Sequence, residues 1–476
     1  MSIEFSSLTR NPSLKTAPWS RRLVGPLIAA SIIRLTLMAL FIARNGTRAL
    51  ALGDTNSFLE PGRNLLLHGR FIADGVPDLF RTPGYPIFLA MTSLAGLPAA
   101  AVANLILSVF SALLVWRLGW AVFNDDRIAL SAAWIFAFEP ISILFSFVLL
   151  SESLFVALLL LSLERLAMFL RGRSLWVLAA AGLWLAAATF VRPVTYYMPV
   201  ALALGLFLVL ARVPGLRWKA PAVLLISVLP WLAAWQIRNR VEAGYAGFSS
   251  VREVNLYFFD IAEVTASVEH RKFTDVRREL GYVESTNDFG QDYLYQPYLS
   301  LHPEQAGWSQ GQRLAFMHTE AVRDIRSHEG VYLRLCLTHL GMTVFEPGAA
   351  VFDFLMFPGD SMHVAGLIRE EGLARGLLLL VKTHPWVAAE KAGFAVIMLG
   401  LYLLAVRGVI LAVRGVFRGS MQSACLWLLL ETSLYFLAVS GAAGGQGASS
   451  RYRVPIMPVV CILAAAGIRP TKGIAH

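Results

Sequence analysis

Cysteine is scarce in this chain. The three present in 476 residues, Cys336, Cys425 and Cys461, stand at no metal-ligand spacing and supply no disulfide framework. Charge is scarce too. Asp, Glu, Lys and Arg together make up 15% of the sequence, too little to clothe an ordinary soluble domain. The basic excess of +10 does not indicate a nucleic-acid partner, because Lys and Arg fall in short segments beside apolar runs and not in one patch. Residues 1–22 contain no apolar core, and no small-residue cleavage signature follows, so the first apolar run is expected to stay as an anchor. No internal repeat is visible.

Apolar sequence fills the space. Hydrophobic residues reach 57% and mean hydropathy is +0.60. Runs near the twenty residues that cross roughly 30 Å of hydrocarbon recur at 23–43, 99–120, 128–148, 152–170, 174–190, 194–211, 219–236, 391–413, 421–440 and 454–468. Segments 86–97 and 331–357 are apolar enough to lie against the membrane or enter it, so 10 to 13 spans are expected. The fold class is therefore an all-α polytopic membrane protein in three parts. A transmembrane module covers 1–236, a large loop region with membrane-associated helices covers 237–390, and a second transmembrane module covers 391–476.

Lys/Arg bias orients the chain. With both termini cytoplasmic, the inner segments hold seventeen Lys and Arg. The outer segments, the long loop aside, hold Arg44, Arg48, Arg63, Arg70, Arg81, Arg192, Arg451 and Arg453. The first five cluster in one outer loop, 44–86, against the rule. Such a cluster needs a reason of its own.

Several side chains on that face invite one. Asp54 in "GDTNSF" stands at a helix start, where a cap carboxylate is the plain reading. Glu60 and Arg63 have the spacing of a surface pair, and His68 that of an interfacial histidine. In "RTPGYP", Pro83, Gly84 and Pro86 restrict and turn the backbone, which would hold Arg81 and Tyr85 rigidly at the membrane surface. Glu152 opens a span in "SESLF", where a carboxylate either lines a cavity or serves a helix terminus. Glu139 lies deeper, beside a kink expected at Pro140, and Arg192 sits at the next outer turn. "GGQGASSRYRVP" is a glycine-rich loop leading to Arg451, Tyr452 and Arg453. It lacks the Lys and strand context of a P-loop, so the choice lies between lipid headgroups and a bound phosphate, which guanidinium forks suit. The loop from Gly441 is expected to order on a lipid phosphate.

Together, "LGDTNSFLEPGRNLLLHGRF", "RTPGYPIFLA", "SESLF", "VRP" and the closing "RYRVPIMP" resemble the GT-C class of polytopic glycosyltransferases, in particular the protein mannosyltransferase and aminoarabinose transferase branch. The likeness lies mostly in the N-terminal half; residues 240–390 match no subfamily. It implies a GT-C transmembrane helical bundle with a small, partly helical periplasmic region, in a bacterial cytoplasmic (inner) membrane, with the active site extracytoplasmic. It implies a polyprenyl-phosphate sugar as donor, inverting transfer, and a lipid, glycan or protein as acceptor. Asp54 matches the family's catalytic acid. Protein mannosyltransferases carry an Asp-Glu pair there, whereas this chain has Asp54-Thr55, which suits the bacterial lipid- or glycan-modifying branch better. Arg81, Arg192, Arg451 and Arg453 are the expected donor-phosphate ligands, with Tyr85, Glu152, Glu60, His68 and Tyr452 in support. No cofactor and no metal are expected, since arginines serve the leaving phosphate. Two other functions stay open: a lipid-linked glycan polymerase or ligase, and a transporter or flippase of a lipid-linked or anionic solute. Transport would call for broken helices at mid-membrane, and the sequence reads as polar in its loops instead.

Overall fold

In hydrocarbon every backbone N–H and C=O must find its partner within the protein, which leaves apolar runs little choice but the helix. A computed structural model of the chain describes residues 21–282, 292–346, 348–356, 373–416, 421–442 and 450–468. The expected loop glycines Gly444, Gly445 and Gly447 lie outside those residues. Among the described residues, seven helices are long and apolar enough to cross a membrane. The fold is all-α and multi-spanning, and its one sheet there is a two-stranded hairpin.

The first module runs α1 (Val24–Asn45), α2 (Thr55–His68), α3 (Gly84–Thr92), α4 (Leu97–Phe123), α5 (Asp126–Ala137), α6 (Pro140–Leu144), α7 (Glu152–Gly172), α8 (Leu175–Val191), α9 (Met198–Val209) and α10 (Leu216–Ala243). Between α2 and α3, β1 (Ile72–Ala73) pairs antiparallel with β2 (Val76–Pro77). Asp74 and Gly75 both take positive φ in that two-residue turn, the geometry Asp-Gly favours. Segment 86–97 is no span, because α3 is too short to cross.

The apolar run at 128–148 is not one helix. It breaks between Ala137 and Pro140, and after α6 residues 145–151 form turns, buried throughout. A missing N–H at Pro140 starts the break, but the groups it frees must be paired. Arg34, buried midway along α1, donates from Nη1 to the Ala137 carbonyl at 3.0 Å and from Nε to Ser108 Oγ at 2.9 Å. Glu139 accepts from the amides of Ile141 and Ser142 and so caps α6. Asn104 donates to the Val148 carbonyl, Thr55 to Leu149 and Ser153 to Phe145. A cation meets the end with free carbonyls and an anion meets the end with free amides. The kink expected at Pro140 is thus a break closed by the protein's own charges. Arg34→Met strands those acceptors in hydrocarbon. It is expected to lower stability by about 3 kcal/mol or more, read as a fall in the melting temperature of the purified protein.

Past residue 236 the helix continues: α10 runs to Ala243, and Arg238 reaches sideways from it to the loop before α3, donating to the Asp78 carbonyl at 3.0 Å and to the Phe71 carbonyl. The region beyond is helical, with α11 (Val251–Asn255), a π-helical turn Leu256–Ile261, α12 (Ala262–Glu269), α13 (Phe273–Glu279), α14 (Tyr298–Leu301) and α15 (Gln310–Ser327). Tyr257, Phe258, Tyr293, Tyr298 and Leu314 form its core together with Leu79 and Phe80 of the first loop. Ser249 Oγ donates to the Phe80 carbonyl at 2.7 Å, and the Ser250 amide to that of Leu79 at 2.8 Å. The two polar loops therefore fold as one body.

The described residues of segment 331–357 form α16 (Glu329–Phe345) and α17 (Ala349–Met356). Then come α18 (Leu373–Thr383), α19 (Pro385–Val416), α20 (Met421–Ala442), a 3-10 helix Ser450–Ile456, and α21 (Met457–Ile468). The boundary expected at 391 falls inside α19, whose first turns carry Lys391 to an ion pair with Asp353 of α17.

Candidate active site

Asp54 stands at the N-cap position of α2, yet its carboxylate makes no cap hydrogen bond. It is taken by arginines instead. Oδ1 faces Arg81 Nη2 at 3.2 Å and Oδ2 accepts from Arg451 Nη1 at 2.9 Å. Arg451 also donates from Nε to Glu152 Oε1, and the same oxygen accepts from Arg192 Nη1 at 2.7 Å. The result is an alternating ladder, Arg81–Asp54–Arg451–Glu152–Arg192, drawn from five separate stretches of sequence. Burial would raise the Asp54 pKa, but Arg81 and Arg451 outweigh it and hold the carboxyl well below the usual range.

Arg81 is aimed by its neighbours. Its Nε and Nη2 donate to Ser57 Oγ at 2.9 and 2.7 Å, and the guanidinium lies over Phe58, 4.0 Å from the ring centre, and beside Phe80 at 4.8 Å. Asp78, which the sequence reading passed over, shapes the backbone beneath it: one carboxylate oxygen accepts from the amides of Phe80 and Arg81 at 2.8 and 3.0 Å. The prolines of "RTPGYP" then open α3, where first-turn amides need no partner. Gly84 is required, since a Cβ there would lie 2.7 Å from the Phe190 carbonyl oxygen of α8. Burial pushes the Asp78 carboxyl up to about 6, against its amide bonds and the nearby Arg81 and Arg238. The turn needs an acceptor oxygen more than a charge. Asp78→Asn should therefore keep most activity, while Asp78→Ala should lose about tenfold or more in turnover through misplacement of Arg81; comparable kinetics for the two would contradict this.

The two arginines of "RYR" part company. Residues two apart in a 3-10 helix point in different directions, so Arg451 joins the ladder and Arg453 turns into the protein. Fully buried, Arg453 donates from Nη1 to the carbonyls of Thr343 and Glu346 and so pins the C-terminal end of α16. Glu346 answers by accepting from the Ser450 amide. This clamp holds the segment that presents Arg451. Arg453 stands apart from the ladder and is a brace.

The supporting residues divide in the same way. Glu152 is in the ladder. Tyr85 is not at a surface; it is buried against Phe58, its hydroxyl accepting from Asn104 at 3.1 Å. Glu60 makes no pair with Arg63 among the described residues and accepts from the Asp74 amide at 2.8 Å, bracing the hairpin turn. His68 is exposed at the far end of α2, about 20 Å from Asp54 by helical rise. Tyr452 is half-buried beside Arg451 in sequence. Among the described residues no three His, Cys, Asp or Glu side chains come together as metal ligands.

No family model matches the sequence, and no curated protein matches it either. Among solved structures the chain is similar to AglB, the oligosaccharyltransferase of the archaeon Archaeoglobus fulgidus, solved with an inhibitory peptide and a dolichol-phosphate. Identity is 12% and the TM-score 0.47, over 93% of this chain and 50% of that one. A second structure of the A. fulgidus oligosaccharyltransferase, tethered by a disulfide to an acceptor peptide containing the NVT sequon, gives 14%, 0.46, 93% and 49%. The chain thus spans about half the length of these proteins. Likeness of this degree decides no chemistry.

Proposed function

We propose that this protein is a GT-C-type inverting glycosyltransferase that moves a sugar from a polyprenyl-phosphate donor to an acceptor hydroxyl on the extracytoplasmic face of a bacterial cytoplasmic membrane. The observation that carries the reading is a carboxylate, Asp54, set between guanidiniums in a partly open ladder. The acceptor oxygen attacks the anomeric carbon, the bond from that carbon to the phosphate oxygen breaks with its electron pair on phosphate, and Asp54 takes the acceptor's proton. Arg81, Arg192 and Arg451 receive the charge that develops on the leaving phosphate. While paired, Asp54 is a weak base; as the guanidiniums turn to the phosphate its basicity returns, so donor occupancy precedes proton transfer.

Charge supports a monophosphate-linked donor. Three guanidiniums against two carboxylates leave one positive charge, which a phosphodiester neutralises and a diphosphate-linked donor of a polymerase or ligase overfills. Transport gains less support, because the ends of the broken helix are already taken by Arg34 and Glu139. The test is label transfer with purified protein, a polyprenyl-phosphate sugar and candidate lipid, glycan and protein acceptors. The reading expects labelled product and free polyprenyl phosphate; donor that crosses a vesicle membrane unhydrolysed would favour transport.

A further inference from the structure

The ladder contains one member that no substrate reaches. Arg81, Asp54, Arg192 and Arg451 are 11 to 26% exposed at the side chain, whereas Glu152 is 1% exposed. Its Oε1 accepts from two guanidiniums at once. Its Oε2 has no hydrogen-bond partner among the described residues, and the side chain lines a small cavity with Ser108, Ser111, Ser142 and Ser153. A carboxylate buried at the N-terminus of α7, and less exposed than either arginine it holds, acts on a ligand only through those arginines.

The geometry points to Glu152 as a positioning residue that assembles the anion seat by drawing Arg192 and Arg451 together. Two like charges on one carboxylate oxygen would separate without it. Among the described residues Asp54 would then be the one carboxylate holding Arg451, drawing it toward the base and away from the ligand. Glu152 therefore has two effects: it brings two forks to one phosphate and shares Arg451 with Asp54. The inference rests on the reading of the site as a lipid-phosphate site.

The sign of one binding change tests it. Glu152→Gln makes the site one charge more positive, so if Glu152 were only a nearby negative charge, an anion would bind more tightly. If Glu152 assembles the seat, binding weakens despite the added positive charge. With the full-length protein in detergent and a polyprenyl monophosphate as probe, Glu152→Gln is expected to weaken binding about tenfold, with neutral polyprenol unaffected. Glu152→Asp, which keeps the charge and withdraws the oxygen by one methylene, is expected to weaken it about threefold, and it decides the matter where the Gln variant fails to fold. Equal or tighter phosphate binding in whichever variant folds overturns the role of Glu152 and leaves the site reading standing. Wild-type protein that binds the phosphate no better than the polyprenol overturns both.

Discussion

Asp54→Asn is expected to reduce sugar transfer by about 10²-fold or more, the range supplied by a positioned proton acceptor, while donor still binds. Asn keeps the shape and one acceptor oxygen for Arg451, so the ladder loses basicity before it loses geometry. The site also becomes more cationic, which favours an anionic donor. The loss should therefore fall on kcat, with KM for donor unchanged or lower. A carboxylate that merely held Arg81 and Arg451 in place would give the opposite split, with donor KM rising and kcat little changed. Steady-state kinetics at saturating acceptor separate the two.

Arg81→Ala is expected to remove about 2–4 kcal/mol of transition-state stabilisation, or roughly 30- to 10³-fold in rate. Arg81→Lys should be impaired by about tenfold or more. The reason lies in how the guanidinium is held: Nε and Nη2 share Ser57, Nη2 reaches Asp54, and the plane rests on Phe58. A lysine ammonium supplies one nitrogen where the site uses a fork, and it cannot stack as a plane. Were Arg81 only reaching for lipid headgroups, Lys would serve as well and donor kinetics in detergent would not change.

Much of the candidate site was legible before the fold. Asp54, Arg81, Glu152, Arg192 and Arg451 stand out because charge at the rim of a span is expensive, and the structure brings these five together. Arg453 looked equivalent to Arg451 because sequence separation of two carries no direction until the backbone type is known. The segment turned out to be 3-10, which sends the second arginine inward. Asp78 was missed although an Asp two and three residues before amides is a turn signal, since "VPDLF" reads as an apolar stretch with one polar interruption. The broken span was missed for a different reason. Hydropathy sums side chains and is blind to backbone: 128–148 is apolar but for Glu139 and three serines, and the partners that permit its unwinding, Arg34, Asn104 and Thr55, come from α1, α4 and α2. No window over one segment contains them.

The most direct test of the central claim is the position of a phosphate. A cryo-electron microscopy structure of the full-length protein with a polyprenyl monophosphate should show the phosphate within hydrogen-bond distance of Arg81 and Arg451, with the lipid chain running to the membrane and Asp54 released from at least one guanidinium. Phosphate bound elsewhere, with the Arg81–Asp54–Arg451 contacts unchanged at saturating ligand, would contradict the account.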